Sequence, residues 1–314
     1  MVQHLTSLEG VNLKNTWLTI GSFDGIHIGH QQLIHGLNED AHQAGAKSVI
    51  LTFYPHPAVV LRGRSGAFYL TTEDEKTEIL ANLGTDILIT QRFTHELSQS
   101  TARDFITNLL NHLGFQQLWV GQDFALGKGR EGDVDYLTRL GEEFGYQIKL
   151  VEPVLAYGRV VSSSLIRNII SEGKISEANR LLGRLYQVSG VVIHGDNRGK
   201  SIGIPTANLD TGDEKLIPGA GVYACKAFIY GNQWPAAVNV GIRPTFTSRD
   251  RKSHVEAHIL DFSGDLYNQT LTLEFIERLR GEVKFNSIQD LISQINFDIK
   301  QTKEIVEAME RAQK

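Results

Sequence analysis

A chain of 314 residues exceeds the common domain size of about 100 to 150 residues, so two domains with separate cores are expected and a small disulfide- or metal-stapled module is excluded. With 41% hydrophobic and 21% charged residues the composition is that of an ordinary globular protein. The 31 Lys and Arg against 36 Asp and Glu leave a net charge of -5, which argues against a protein built mainly to grip a phosphate backbone. The single cysteine, Cys225, allows neither an internal disulfide nor a Cys-pair zinc site. That usage, with no leader-like start and no apolar run of membrane length, predicts a cytoplasmic protein without a membrane partner.

In chain order, residues 16–23, 48–53, 86–90, 117–120 and 147–151 are β-branched or aromatic runs with the continuous apolar character of buried parallel strands. Helical stripes alternate with them: Leu33, Ile34, Leu37, Ala41 and Ala44 form one, and Phe105, Ile106, Leu109, Leu110 and Leu113 another. Alternating β and α elements predict a doubly wound α/β domain over residues 1–182. From residue 183 to 314 the pattern becomes antiparallel, with strands at 186–194, 221–230, 234–240, 254–262 and 271–275 separated by Gly, Asn, Asp and Pro turns. That half reads as a small β-barrel or sandwich. A final helix from about Ser287, with Ile288, Leu291, Ile292, Ile295 and Ile299 facing inward, is expected to cover it.

The segment Gly21-Ser-Phe-Asp-Gly-Ile-His-Ile-Gly-His30 lies where a strand gives way to a helix, a place where backbone donors and the positive helix end favour phosphate. His27 and His30, three residues apart at the helix start, are spaced to face one triphosphate and donate hydrogen bonds to charge developing on it, which suits nucleotidyl transfer. Val161-Ser-Ser-Ser-Leu-Ile-Arg167 opens another predicted helix with hydroxyls and a cation at its start, and Arg167 suits a departing pyrophosphate.

These two segments resemble the H-x-G-H nucleotidyltransferases and, more narrowly, the bifunctional bacterial riboflavin kinase/FAD synthetase family. Thr52-Phe-Tyr-Pro-His-Pro57 is similar to that family's flavin-side motif, Gly121-Gln-Asp-Phe-Ala-Leu-Gly127 to its second motif, and Ser162-Ser-Ser-Leu-Ile-Arg167 to its phosphate-binding motif. The resemblance implies a Rossmann-like nucleotidyltransferase domain with a parallel sheet. It places Gly21, Phe23, Asp24, His27, Gly29, His30, Ser163, Ser164 and Arg167 around ATP, with His27, His30 and Arg167 catalytic. Pro55, His56, Pro57, Asp123 and Phe124 would line the FMN site, with Leu126 standing where many relatives carry an aromatic.

In the second half, Gly199-Lys200-Ser201 is no P-loop, because His194 stands where the first glycine of that motif is needed and the context is all β. The longer segment from Gly190 to Asn208 resembles the flavokinase motif of the same family. That implies a small antiparallel flavokinase barrel, a glycine-rich ATP segment with Gly195, Gly199 and Gly203, and Mg²⁺ on the hard oxygens of Thr206 and Asn208. Alternation along residues 254–259 puts His254, Glu256 and His258 on one strand face. The resemblance makes Glu256 the general base for the 5′-hydroxyl of riboflavin; a His-x-Glu-x-His metal site is the lesser alternative. Residues 243–246 and 261–267 match too, as do 275–285, where Arg280 and Glu282 are candidate flavin contacts or else a mutual ion pair.

The expected activity is therefore bifunctional: riboflavin and ATP give FMN, then FMN and ATP give FAD and pyrophosphate, with Mg²⁺ and small molecules as the partners. Three rivals remain open at this level: a nucleotidyltransferase for another phosphorylated cofactor, a flavin-binding regulator without turnover, and an RNA-binding protein, which would need a basic footprint.

Overall fold

The computed structural model describes residues 2–156, 158–195, 203–243 and 252–312. By packing, the chain divides into two compact units, Met1–Ser163 and Ser164–Lys314.

The first unit is built on six parallel strands: β1 (Gln3–Leu5), β2 (Thr16–Ile20), β3 (Lys47–Tyr54), β4 (Ile87–Arg92), β5 (Phe115–Gly121) and β6 (Gln147–Val151). They lie in the order β1-β4-β3-β2-β5-β6. The chain moves one way across the sheet from β2 to β3 and β4, then crosses back to β5 and β6. The switch point thus lies between β2 and β5, where open α/β sheets bind their ligands at the carboxyl ends of the strands.

Alternation along the strands decides which helix covers which face. Leu18, Ile20, Val49, Leu51, Ile87 and Ile89 pack with Phe105, Ile106 and Leu109, and with Leu137 and Leu140. Ile50, Leu88 and Trp119 instead pack with Ile34, Leu37 and Leu80. The sheet is therefore covered on one face by α1 (Ile28–Gln43) and α3 (Glu73–Asn82), and on the other by α4 (Ala102–Leu113) and α5 (Val134–Phe144), while the short α2 (Pro57–Arg62) follows β3. Two expected details differ. Ala44 is the exposed C-cap of α1 and not part of its stripe, because the helix has already ended and Asn38 takes the inner face. The strand expected over 16–23 stops at Ile20, where the glycine turn begins.

The second unit contains helices α6 (Ser163–Ser171, its first residue at the division) and α7 (Ile175–Leu182), then a closed antiparallel barrel. Its strands are β7 (Tyr186–Ile193), β8 (Ala207–Asp210), β9 (Gly221–Ile229), β10 (Asn232–Arg243), β11 (Lys252–Ile259) and β12 (Thr270–Arg280), closing in the order β7-β8-β11-β10-β9-β12. Asn179 of α7 donates from Nδ2 to the Phe275 carbonyl at 2.8 Å and accepts the Tyr186 amide at 2.8 Å. Such ties make α7 part of the barrel's packing unit, so the division by packing precedes the 182/183 join expected between catalytic domains.

The last helix, α8 (Ile288–Ala312), packs on β9, β10 and β12. Its inward stripe is the expected one only in part. Ile288 is 63% exposed, Leu291, Ile292, Ile295 and Ile299 are half-buried, and the buried positions are Asp298, Thr302 and Val306. A carboxylate replaces an aliphatic residue on the inner face because a barrel arginine meets it there. No helix among the described residues is long and apolar enough to cross a membrane.

Candidate active sites

The first site grows from the carboxyl end of β2. Phe23 and Ile26 take positive φ angles, 43° and 36°, which bulky L-residues avoid; both side chains are buried, so packing holds the turn in that shape. The position of a Cβ on Gly21 would be 3.0 Å from the Phe23 ring, and one on Gly29 would press on the His27 ring at 3.3 Å. Asp24 is 1% exposed, and its carboxylate accepts the Leu70 amide at 2.9 and 3.1 Å and the Thr71 amide at 3.1 Å. Its backbone carbonyl accepts from Ser163 Oγ at 2.8 Å. The Gly25 amide donates to Thr71 Oγ1 at 3.1 Å.

His27 caps α1: its Nδ1 accepts the His30 amide at 3.4 Å, which leaves the proton of a neutral ring on Nε2. The rings of His27 and His30 stack with centroids 3.7 Å apart and planes 20° from parallel. The expected pairing of the two imidazoles on one face of the helix start is thus present. Burial, then the neighbouring His27 and Lys76, hold His30 well below the usual imidazole range. The neutral ring is therefore the favoured form, and it carries a single proton. His30 Nδ1 is buried without a hydrogen-bond partner among the described residues.

Next to this turn, His56 caps α2 with its Nδ1 on the Ala58 amide at 3.0 Å, while its own amide donates to the Tyr69 hydroxyl at 2.8 Å. Its ring meets the Phe68 ring edge-on at 5.1 Å. Pro55 and Pro57 flank it, Pro57 at the first turn of α2. Asp123 is exposed, with its carbonyl held by Arg130 at 2.8 Å. Phe124 and Leu126 are half-buried against the first core. In the second unit, Ser164 is exposed and Arg167 half-buried on α6.

The second site is a row across the barrel. β8 and β10 flank β11 so that Asn208, Glu256 and Asn239 stand opposite one another. Val255 and Ala257 are buried, which turns Glu256 outward as strand alternation predicts. Asn208 is 6% exposed, and its Oδ1 has no hydrogen-bond partner among the described residues. Gly195 lies so close to this amide that any Cβ there would overlap it. Thr206 is exposed just before β8, and His258 Nδ1 donates to the preceding Pro205 carbonyl at 2.7 Å, tying that segment to β11. His254 Nε2 contacts Glu256 Oε1, so the three polar residues of this strand do not converge on one point. Gly203 is exposed; Gly199 and residues 244–246 lie outside the described residues.

Arg280 corrects one expectation. Its partner is not Glu282: its Nε reaches both oxygens of Asp298 at 3.1 and 3.2 Å and its Nη2 reaches Oδ2 at 2.8 Å, while Gln294 adds a further donor at 2.9 Å. The guanidinium fork matches a carboxylate held on α8. The Glu282 carboxylate lies over Gly241, beside Asn239.

The comparisons follow this division. Residues 10–165 match the model of the FAD synthetase family and residues 182–306 that of riboflavin kinase. A protein of Listeria monocytogenes described as a bifunctional riboflavin kinase/FMN adenylyltransferase is 37% identical over 92% of both chains. The chain belongs to the bifunctional riboflavin kinase/FMN adenylyltransferase family. It is an ATP-dependent enzyme with the FMN adenylyltransferase half first, using riboflavin, FMN and ATP as substrates. The Escherichia coli family member is 35% identical over 95% of both chains. A solved structure from Streptococcus pneumoniae, titled a macrolide-efflux protein, superposes with a TM-score of 0.87 at 27% identity, over 96% of this chain and 98% of that one.

Within this bifunctional enzyme, sequence reasoning missed the supports of both sites. Leu70, Thr71 and Lys76 bracket the turn from a distant segment, and the one local signal there is Thr72-x-x-Glu75, a capping box that the structure forms. Asn239 of the kinase barrel had no local signal, since only strand register sets it opposite Glu256.

Proposed function

We propose that residues 183–314 move the γ-phosphoryl group of ATP to riboflavin with Glu256 as the base, and that residues 1–182 then move an adenylyl group to the FMN formed. The observation that carries the kinase assignment is the buried Asn208 Oδ1, without a hydrogen-bond partner among the described residues and in register with Glu256. An unpaired hard oxygen beside a carboxylate fits Mg²⁺, with Thr206 and Asn208 as its holders. When bound, the ion neutralises charge on the transferring phosphates. Glu256 takes the proton of the 5′-hydroxyl as that oxygen bonds the γ-phosphorus; the bond from the γ-phosphorus to ADP breaks, and ADP leaves. Gly195, Gly199 and Gly203 let backbone approach ATP, and Glu282, lying over Gly241, meets the flavin.

Within residues 1–182, an FMN phosphate oxygen attacks the α-phosphorus and pyrophosphate leaves, with no covalent enzyme intermediate. His27 and His30 donate to charge on the triphosphate, and Ser163, Ser164 and Arg167 hold the departing phosphates. Gly21, Phe23, Asp24 and Gly29 shape the turn that receives them. Pro55, His56, Pro57, Asp123 and Phe124 bind the flavin of FMN. The ATP requirement and the single buried cysteine fit a cytoplasmic location.

Chromatography of flavins after incubation with riboflavin, ATP and Mg²⁺ should give FMN and then FAD, and a parallel reaction from FMN should give FAD. Glu256→Gln should lower riboflavin phosphorylation by about 10²- to 10⁴-fold while FMN is still converted to FAD. An unchanged rate and pH profile would remove Glu256 from the base's role.

A further inference from the structure

The geometry points to Lys76 as a positioning residue of adenylyl transfer: a buried ammonium, set beneath the Gly21–Asp24 turn, whose positive charge draws the triphosphate into the turn and holds it there. The inference rests on the reading of that turn as the ATP site.

Lys76 lies on α3, remote in sequence from the turn, and is 7% exposed. Its Nζ donates to the Ser22 carbonyl at 2.9 Å and to Thr52 Oγ1 at 3.2 Å, and Thr52 Oγ1 itself donates to the same carbonyl at 3.0 Å. The segment leading into α3 binds the next residues of the turn as well, through Leu70 and Thr71 on Asp24 and Thr71 on Gly25. Residues 22, 24 and 25 are thus all anchored to the 70–76 segment.

Holding one carbonyl needs only a neutral donor. An ammonium is the costly choice at a site closed to water, because its charge loses hydration and its two described bonds go to uncharged oxygens. Burial pulls its pKa down, and Asp24 and Glu73 oppose that by pulling it up. The charge also bears on the stacked histidines, helping keep His30 unprotonated. A polyanion at the turn adds to the counter-charge that Asp24 and Glu73 supply to the buried ammonium. Being fixed before the ligand arrives, such a charge costs no reorganisation when ATP binds.

The test uses the full chain and compares Lys76→Arg, Lys76→Gln and Lys76→Met, with riboflavin phosphorylation by the other unit as the check on intact protein. If the charge acts, Lys76→Arg keeps most of the adenylyl transfer, while Gln and Met both raise the KM for ATP by about 10- to 100-fold with the KM for FMN little changed. If Lys76 serves only as a hydrogen-bond donor, Gln restores the activity that Met loses, and the inference fails. A second measurement covers variants that melt: in wild type, ATP binding followed by calorimetry weakens as alkaline pH discharges Lys76. The titratable groups that bear on Lys76 are Asp24, Glu73 and His30. ATP binding that stays constant there overturns the inference. His27→Ala separates the two levels: undiminished FAD formation in that variant refutes the ATP reading of the turn itself, whereas its loss together with a fully active Lys76→Gln refutes only the role of the lysine.

Discussion

Replacing Asp24 tests whether this carboxylate binds ATP or builds the turn that does. In the structure both oxygens are taken by the amides of Leu70 and Thr71, with the Thr71 hydroxyl at 3.4 Å, in a position 1% exposed. Hydrogen bonds to a charged group contribute about 1.5 to 3 kcal/mol each. Asp24→Ala removes two of them and orphans two buried amides, a loss of about 3 to 6 kcal/mol. Asp24→Asn keeps one acceptor oxygen but turns an NH₂ group toward an amide donor and cancels the charge facing Lys76, a loss of about 2 to 3 kcal/mol. At about 2 to 4 °C per kcal/mol for a unit of this size, Asp24→Asn lowers the melting temperature of the first unit by about 4 to 12 °C. The assay is calorimetric melting beside both activities, with FAD formation from FMN reduced and riboflavin phosphorylation kept. A variant that melts like wild type but needs far more ATP would show the carboxylate acting on the nucleotide directly, and the bracket argument would be refuted.

The barrel offers the converse experiment: Gly195→Ala forces the Asn208 amide aside and should cut riboflavin phosphorylation by about 10²-fold while FAD formation from FMN persists, and full kinase turnover would remove Asn208 from the site. Arg280→Met leaves Asp298, 2% exposed, without its cation, so denaturant unfolding of the second unit should show a loss of about 3 to 5 kcal/mol; a change under 1 kcal/mol would make the pair a surface contact. His30 has a folded pKa below its unfolded value of about 6.5, so its contribution to stability is whole above that pH and is lost as the pH falls through 6.5 toward the folded value. Melting between pH 7.5 and 5.5 should therefore decline more steeply in wild type than in His30→Gln, and parallel curves would refute the assignment.

What could be read along the chain and what could not separates by the range of the interaction. The parallel strands β2, β3, β4 and β5 and the helices α1 and α4 of the first unit announce themselves by continuous or periodic apolar runs, because each buries a whole face and its own residues carry that fact. The edge strand Gln3–Leu5 and the four-residue strand Ala207–Asp210 have too few residues for a period to register. The last helix was legible as a covering helix, but its most buried positions were not. Its aliphatic residues have helical spacing, but the inner face is chosen by an ion pair between Asp298 and Arg280, and a carboxylate on a helix normally argues for solvent. The two sites repeat the contrast. His27 and His30 are three residues apart on one helix, so their partnership is local, whereas the groups around them arrive from elsewhere: Thr71 on Gly25, Leu70 on Asp24, Lys76 on Ser22. Asn239 reaches Glu256 only through strand register, and Arg280 reaches α8 only after the barrel has closed. Residues that meet substrate cluster in short motifs because one turn must present them together. The residues that hold such a turn in shape need only reach it from some packed element, and packing can bring that element from anywhere in the domain.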